Sequence, residues 1–79
     1  MNVAIYVRLP PDRDRSRRVV SFALPANVPQ DAVLMLGGAI DGGQAVFEIE
    51  NPLRNQALLK LERNIVILLK THEHEVSFK

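Results

Sequence analysis

The alternation of apolar and polar residues near the N-terminus is the feature that most constrains the fold. Val3, Ile5, Val7 and Leu9 occupy every second position, and the first three of them are β-branched. Because successive side chains of a β-strand point to opposite faces, this pattern predicts a strand with one buried face. Pro10 and the proline after it end the strand, since proline has no N–H to donate.

Two further segments show the same alternation. Residues 19–24 place Val20, Phe22 and Leu24 on one side, and residues 44–50 place Ala45, Phe47 and Ile49 on one side. The polar segment 12–18 lies between the first strand and the second. We therefore expect these two strands to form an antiparallel pair around an exposed loop.

Residues 29–40 allow two interpretations. Pro29 and Asp31 are typical of the first turn of a short helix, which Gly37 would end. Alternatively, Val33–Ile40 is a strand, joined through Asp41-Gly42-Gly43 to the strand that follows. An Asp-Gly pair is a strong hairpin signal, and the hairpin is therefore slightly favoured.

A helix is predicted over about residues 52–63. Asn51 is a typical N-cap and Pro52 a typical first helical residue. Four apolar residues then follow at helical spacing, namely Leu53, Ala57, Leu58 and Leu61. Asn64 would end the helix. A strand over residues 57–62 is the competing interpretation of the segment 53–63.

The C-terminal segment is predicted to be extended. Ile65–Leu69 is apolar at every position, which is typical of a central strand covered on both sides. Beyond it, His72, His74, Val76 and Phe78 alternate with polar residues and would share one strand face.

These elements predict one strand-rich α+β domain over residues 1–79. It would have one mainly antiparallel sheet of about four to six strands, with the helix of residues 52–63 packed on it. An all-β fold is the alternative. The expected core is Val3, Ile5, Val7, Val20, Phe22, Leu24, Phe47, Ile49, Leu58, Leu61, Ile65 and Ile67.

Composition excludes several classes of protein. The chain has 79 residues and no cysteine, which rules out disulfides and thiolate metal sites. Its net charge of +1 argues against a histone-like protein. The longest apolar runs are far shorter than the roughly 20 residues of a membrane-spanning helix. We expect a cytoplasmic protein, and the small core makes a homodimer through a sheet edge a reasonable expectation.

Motifs for catalysis and cofactor binding are weak. Gly38 and Gly43 have the spacing of a phosphate-binding loop, but Gln44 and Ala45 stand where that motif requires lysine and a hydroxyl residue. No serine lies in a glycine elbow. His72 and His74 are weak candidate metal ligands, because a third ligand is not apparent. We expect neither enzymatic activity nor a cofactor.

Arginine is concentrated in one segment, residues 8–18. Arg8, Arg13, Arg15, Arg17 and Arg18 are half of the ten basic residues of the chain. Two aspartates offset them, so five positive and two negative charges leave the segment at +3. Guanidinium groups bind carboxylates and phosphates through two parallel hydrogen bonds. We therefore name these five arginines and Tyr6, the one tyrosine of the chain, as candidate partner-binding residues.

The sequence predicts a non-enzymatic small interaction module that binds and regulates or inhibits a larger macromolecular partner. Accessory and viral-type proteins often have this size. The favoured partner is a protein, because the small net charge and the low aromatic content are unusual for nucleic-acid binding. The alternatives are an electrostatic nucleic-acid-binding protein that uses the 8–18 arm, and a self-assembling structural subunit.

Replacing Arg13, Arg15 and Arg17 together with alanine tests the arm. We expect nearly unchanged stability, because exposed ion pairs contribute only about 0–1 kcal/mol each. Partner affinity should fall strongly, since an arginine desolvated at an interface can cost about 2 kcal/mol or more on truncation. Thermal unfolding and a titration with the partner measure the two effects. Unchanged affinity would contradict a binding role for the arm.

Overall fold

The computed structural model describes residues 4–8, 18–49 and 55–78, and gives the backbone alone for Arg18, Asn55 and Gln56. The described residues form five strands and two helices in the order β1 (Ala4–Val7), β2 (Arg18–Ala23), α1 (Gln30–Met35), β3 (Ala39–Asp41), β4 (Gln44–Ile49), α2 (Asn55–Thr71) and β5 (Glu75–Phe78). This arrangement confirms the α+β class, and the all-β alternative is wrong.

The strands form two sheets where one was expected. In the first, β2 and β3 lie on either side of β4, and both pair with it antiparallel. In the second, β1 and β5 pair in parallel. Among the described residues, one antiparallel bridge links the two sheets: the Arg8 N–H donates to the Ser21 carbonyl at 2.8 Å, and the Ser21 N–H donates to the Arg8 carbonyl at 3.2 Å.

The two interpretations of residues 29–40 are each correct in part. Residues 30–35 form helix α1, and Gly37 follows it with a φ of 92°, so a strand at residues 33–36 is wrong. The hairpin is confirmed from Ala39 onward. Gly42 and Gly43 join its strands with φ values of 58° and 79°. A two-residue turn with two positive φ angles matches the twist of the flanking strands and requires glycine-like freedom.

Helix α2 is longer than predicted, because it includes the segment that was expected to be a strand. Ile65–Leu69 lies entirely within it, and Asn64 does not end it. The inward side chains continue the helical spacing of Leu58 and Leu61 through Ile65 and Leu69. The proposed start at residues 51–54 lies outside the described residues. Within the described part of the chain, no helix is both long and apolar enough to cross a bilayer.

One cluster of buried side chains holds the strands and both helices together. The Phe22 and Phe47 rings stack with centroids 6.3 Å apart. Val33 from α1 and Ile65 and Leu69 from α2 complete the cluster. Ten residues are buried in it: Ile5, Val7, Val20, Phe22, Val28, Val33, Ala45, Phe47, Ile65 and Leu69.

The expected core is largely confirmed. Leu24, Ile49, Leu58 and Leu61 pack against the cluster while partly buried. Ile67 is wrong, because its side chain is 58% exposed on the outer side of α2. Val3 lies outside the described residues. The sequence prediction missed four core residues, which are Val28, Val33, Ala45 and Leu69.

Substituting Gly38 with alanine should destabilise the fold by crowding the core. A Cβ at this position would lie 2.6 Å from Cε2 and 2.8 Å from Cζ of the Phe47 ring. Phe47 is buried and cannot swing into solvent, so we expect a loss of about 1–3 kcal/mol, measured by urea unfolding.

Gly38→Ala combined with Phe47→Leu is the matched control. The smaller side chain makes room for the methyl group, so the two losses should sum to more than the loss of the double variant. Simple additivity of the two losses would contradict the steric cause.

Candidate interaction surface

Both helices cover the same face of the strands and leave the opposite face open. Inward positions on β1, β2 and β4 are buried together with residues from α1 and α2. The alternate positions therefore point away from the helices. Exposed side chains on this outer face include Ala4, Tyr6, Arg8, Val19, Ala23, Ala39, Asp41, Gln44, Glu48, Glu75 and Ser77.

Tyr6 and Arg8 stand out on the outer face. They lie two residues apart on the same side of the chain, and Tyr6 is 56% exposed. Their cross-strand neighbours are small: Tyr6 is opposite Ser77, and Arg8 is opposite Ser21. A large aromatic ring and a guanidinium group therefore stand beside small cross-strand neighbours.

A cleft of about 340 Å³ lies beside these two residues. It forms because β1 and β2 are joined by one bridge and diverge beyond it. Tyr6 and Arg8 line it from β1, and Ser21 and Ala23 line it from β2. The cleft thus combines a cation, a hydroxyl group, an aromatic ring and strand backbone.

The predicted arginine surface is described only at its ends. Arg8 is exposed, and within the described residues its side chain makes no hydrogen bond or ion pair. Arg18 is placed by its backbone, which pairs with Ile49. Arg13, Arg15 and Arg17 lie outside the described residues. The structure therefore brings together Tyr6 and Arg8, and does not address the other three arginines.

The histidines do not form the strand pair that was predicted. His72 and His74 precede β5 and belong to the turn that ends α2. His72 Nδ1 lies 2.9 Å from the Leu68 carbonyl oxygen, and His74 Nε2 lies 2.7 Å from Oδ1 of Asn27. Among the described residues, no group of three or more His, Cys, Asp or Glu side chains is arranged to hold a metal ion.

The turn around the histidines is a Schellman C-cap. The Glu73 N–H donates to the Lys70 carbonyl at 3.0 Å, and the His74 N–H donates to the Leu69 carbonyl at 2.9 Å. These are the two hydrogen bonds of that motif, in which the donor of the first bond has a left-handed backbone conformation. Glu73 is that residue, with a φ of 68°. The histidines therefore have a structural context in the cap, which also explains why the helix ends here.

A second apolar surface was not anticipated from the sequence. Met35 of α1 and Leu36, the C-cap residue of that helix, line shallow grooves of about 290 and 340 Å³ together with Asn64 of α2. Met35 is 87% exposed, and Ile67 is exposed on the groove rim. The available signal was Leu34-Met35-Leu36, three apolar residues in succession on a helix too short to bury them all.

Comparison with known proteins gives no relationship from which a function could be transferred. No protein-family model, no curated protein and no solved structure matches the chain.

Replacing Glu73 with glycine should stabilise the protein. A left-handed non-glycine residue costs about 1–2 kcal/mol, and the greater unfolded-state freedom of glycine offsets about 0.5–1 kcal/mol of this. We expect a gain of up to about 1 kcal/mol, or a melting temperature higher by about 4–8 °C for the full gain in a domain of this size. Glu73→Ala is the control, because it removes the charge and keeps the Cβ. Equal stabilisation by both variants would contradict the backbone explanation.

Proposed function

We propose that this chain is a non-enzymatic interaction module that binds a protein partner through the open face of its strands, centred on Tyr6 and Arg8. The supporting observation is the one-sided packing of the helices. It leaves a face on which an exposed aromatic ring and an exposed guanidinium group stand next to a cleft. Tyrosine and arginine are among the residues that contribute most to protein–protein binding.

The charges of the outer face favour a protein over a nucleic acid. Asp41, Glu48 and Glu75 are exposed there, and Arg8 is the one basic side chain described on it. A phosphate backbone lying across this face would meet these carboxylates and be repelled. A protein surface can instead place one acidic group at Arg8 and neutral groups elsewhere.

Binding would act by occupancy. A chain of 79 residues that covers part of a larger partner blocks whatever that area contacts, and so regulates or inhibits the partner. The small serines opposite Tyr6 and Arg8 leave both side chains accessible to a partner, and these two side chains would provide the anchors. The proposal includes the cytoplasmic location expected from the composition.

Tyr6→Ala and Arg8→Ala, alone and combined, test the proposal. The partner is first captured from a native lysate with the unmodified protein, and its affinity for each variant is then measured by titration. We expect the double variant to lose about 2 kcal/mol or more, which is a loss of roughly 30-fold. Thermal unfolding should change little, because both side chains are exposed.

Leu59→Ala and Lys60→Ala provide matched controls. They also remove an exposed apolar side chain and an exposed cation, but on α2, away from the open face. Full affinity of the double Tyr6/Arg8 variant would contradict the proposal. So would a captured nucleic acid whose binding weakens steeply with salt. Filaments or rings formed by the chain alone would instead support the structural-subunit alternative.

A further inference from the structure

We propose that the cleft between β1 and β2 receives an extended segment of the protein partner and that an aspartate or glutamate side chain of this segment binds Arg8. This inference rests on the proposed function and names the chemistry that the partner must carry. Three features of the cleft support this inference: the Ala23 backbone groups that face it, its charge, and the spacing of the side chains along it.

The backbone of Ala23 is directed into the cleft. Hydrogen-bonded residues alternate along an antiparallel strand between one neighbour and the other. Leu24 donates to Gly43 of the β3–β4 turn at 3.0 Å, whereas Ser21 bonds to Arg8 on the opposite side. Ala23 therefore directs its N–H and C=O toward β1. Among the described residues no bridge forms there, because the strands have diverged.

An extended peptide can pair with such a backbone edge. Strand addition of this kind takes its affinity from main-chain hydrogen bonds and its specificity from alternate side chains. The cleft offers one donor and one acceptor at Ala23, so the pairing is short. Side chains must then supply most of the selectivity.

The charge of the cleft selects a carboxylate. Arg8 is the one ionisable basic group in its lining, and no aspartate or glutamate lines it within the described residues. The Arg8 guanidinium has no ion-pair partner in the described part of the chain. Ser21 and Gln44 add neutral hydrogen-bonding groups nearby. A single carboxylate matches this set, because guanidinium and carboxylate pair through two parallel hydrogen bonds.

The spacing of Tyr6 and Arg8 predicts the residue next to the acid. Residues two apart on a strand are separated by about 6.6 Å, and the same spacing holds in an extended partner segment. A segment with its acid at Arg8 therefore places a side chain two positions away at the Tyr6 ring. An apolar residue there is the complementary choice, and the expected partner motif is an apolar residue and an acidic residue separated by one.

A capped peptide tests this inference directly. The probe is an amidated, acetylated peptide of alternating valine and threonine with one glutamate two positions from a valine, and its twin has glutamine instead. Amide chemical shifts of the intact protein are followed by NMR as each peptide is added. We expect shifts at Tyr6, Arg8 and Ala23, with binding about tenfold weaker for the glutamine twin.

Two variants assign the contacts. Arg8→Gln should remove the preference for glutamate, while Lys60→Gln, an exposed cation on α2, should preserve it. Ala23→Pro should weaken both peptides equally, because it removes the N–H that points into the cleft and leaves the bonds of β2 to β4 intact. The spectrum of each variant reports whether the fold is retained.

Several outcomes would overturn the inference. These are equal affinity for the two peptides, no shifts at millimolar peptide, shifts confined to the groove at Met35, or stronger binding of a single-stranded oligonucleotide to the same amides. If the peptide fails while the captured partner still depends on Tyr6 and Arg8, the cleft chemistry is wrong and the proposed function stands. If the partner is insensitive to both residues, the proposed function itself fails.

Discussion

The packing of two helices against one face of the strands is the interaction on which the rest of the structure depends. Val33 of α1 and Ile65 and Leu69 of α2 supply the helical half of the only buried cluster described, and the stacked Phe22 and Phe47 rings lie on its strand side. The opposite face of the strands carries no helix within the described residues. The candidate interaction surface therefore follows from the one-sided position of the helices.

Helix α2 leads into the second sheet. It is followed at once by β5, which pairs in parallel with β1 and brings the chain ends of the fold together. In the part of the chain that the structure describes, the two sheets share one backbone bridge, between Arg8 and Ser21. The shared core must therefore hold the two sheets in place, and strands held by side-chain packing are free to diverge where their backbones do not bond. The cleft beside Tyr6 is the result.

Local sequence patterns predicted the buried and exposed faces of the strands. The prediction was wrong where one pattern was compatible with both a helix and a strand. Alternation placed Val7 and Phe22 in the core and Tyr6 and Arg8 outside it, because a period of two has a single structural meaning. The run Ile65–Leu69 has no such period, and β-branched residues made a strand the natural choice. The segment is helical, because its inward residues continue the stripe of Leu58 and Leu61 as far as Leu69. The divergence of β1 from β2 has no sequence signal, because it arises from tertiary packing.

On the proposed function, the arginine-rich segment of residues 8–18 and the cleft would contribute to partner binding over different distances. The segment carries a charge of +3, and its first and last residues, Arg8 and Arg18, belong to the described part of the chain. Exposed charges act over about 8 Å at physiological ionic strength and mainly raise the rate of association. A guanidinium paired with a carboxylate beside strand backbone acts at contact distance and mainly slows dissociation. Arg8 is part of both features, because it is the first residue of the charged segment and it lines the cleft. Salt should therefore reduce the association rate more than it increases the dissociation rate, because ions screen the approach of the partner more effectively than a formed, partly desolvated pair.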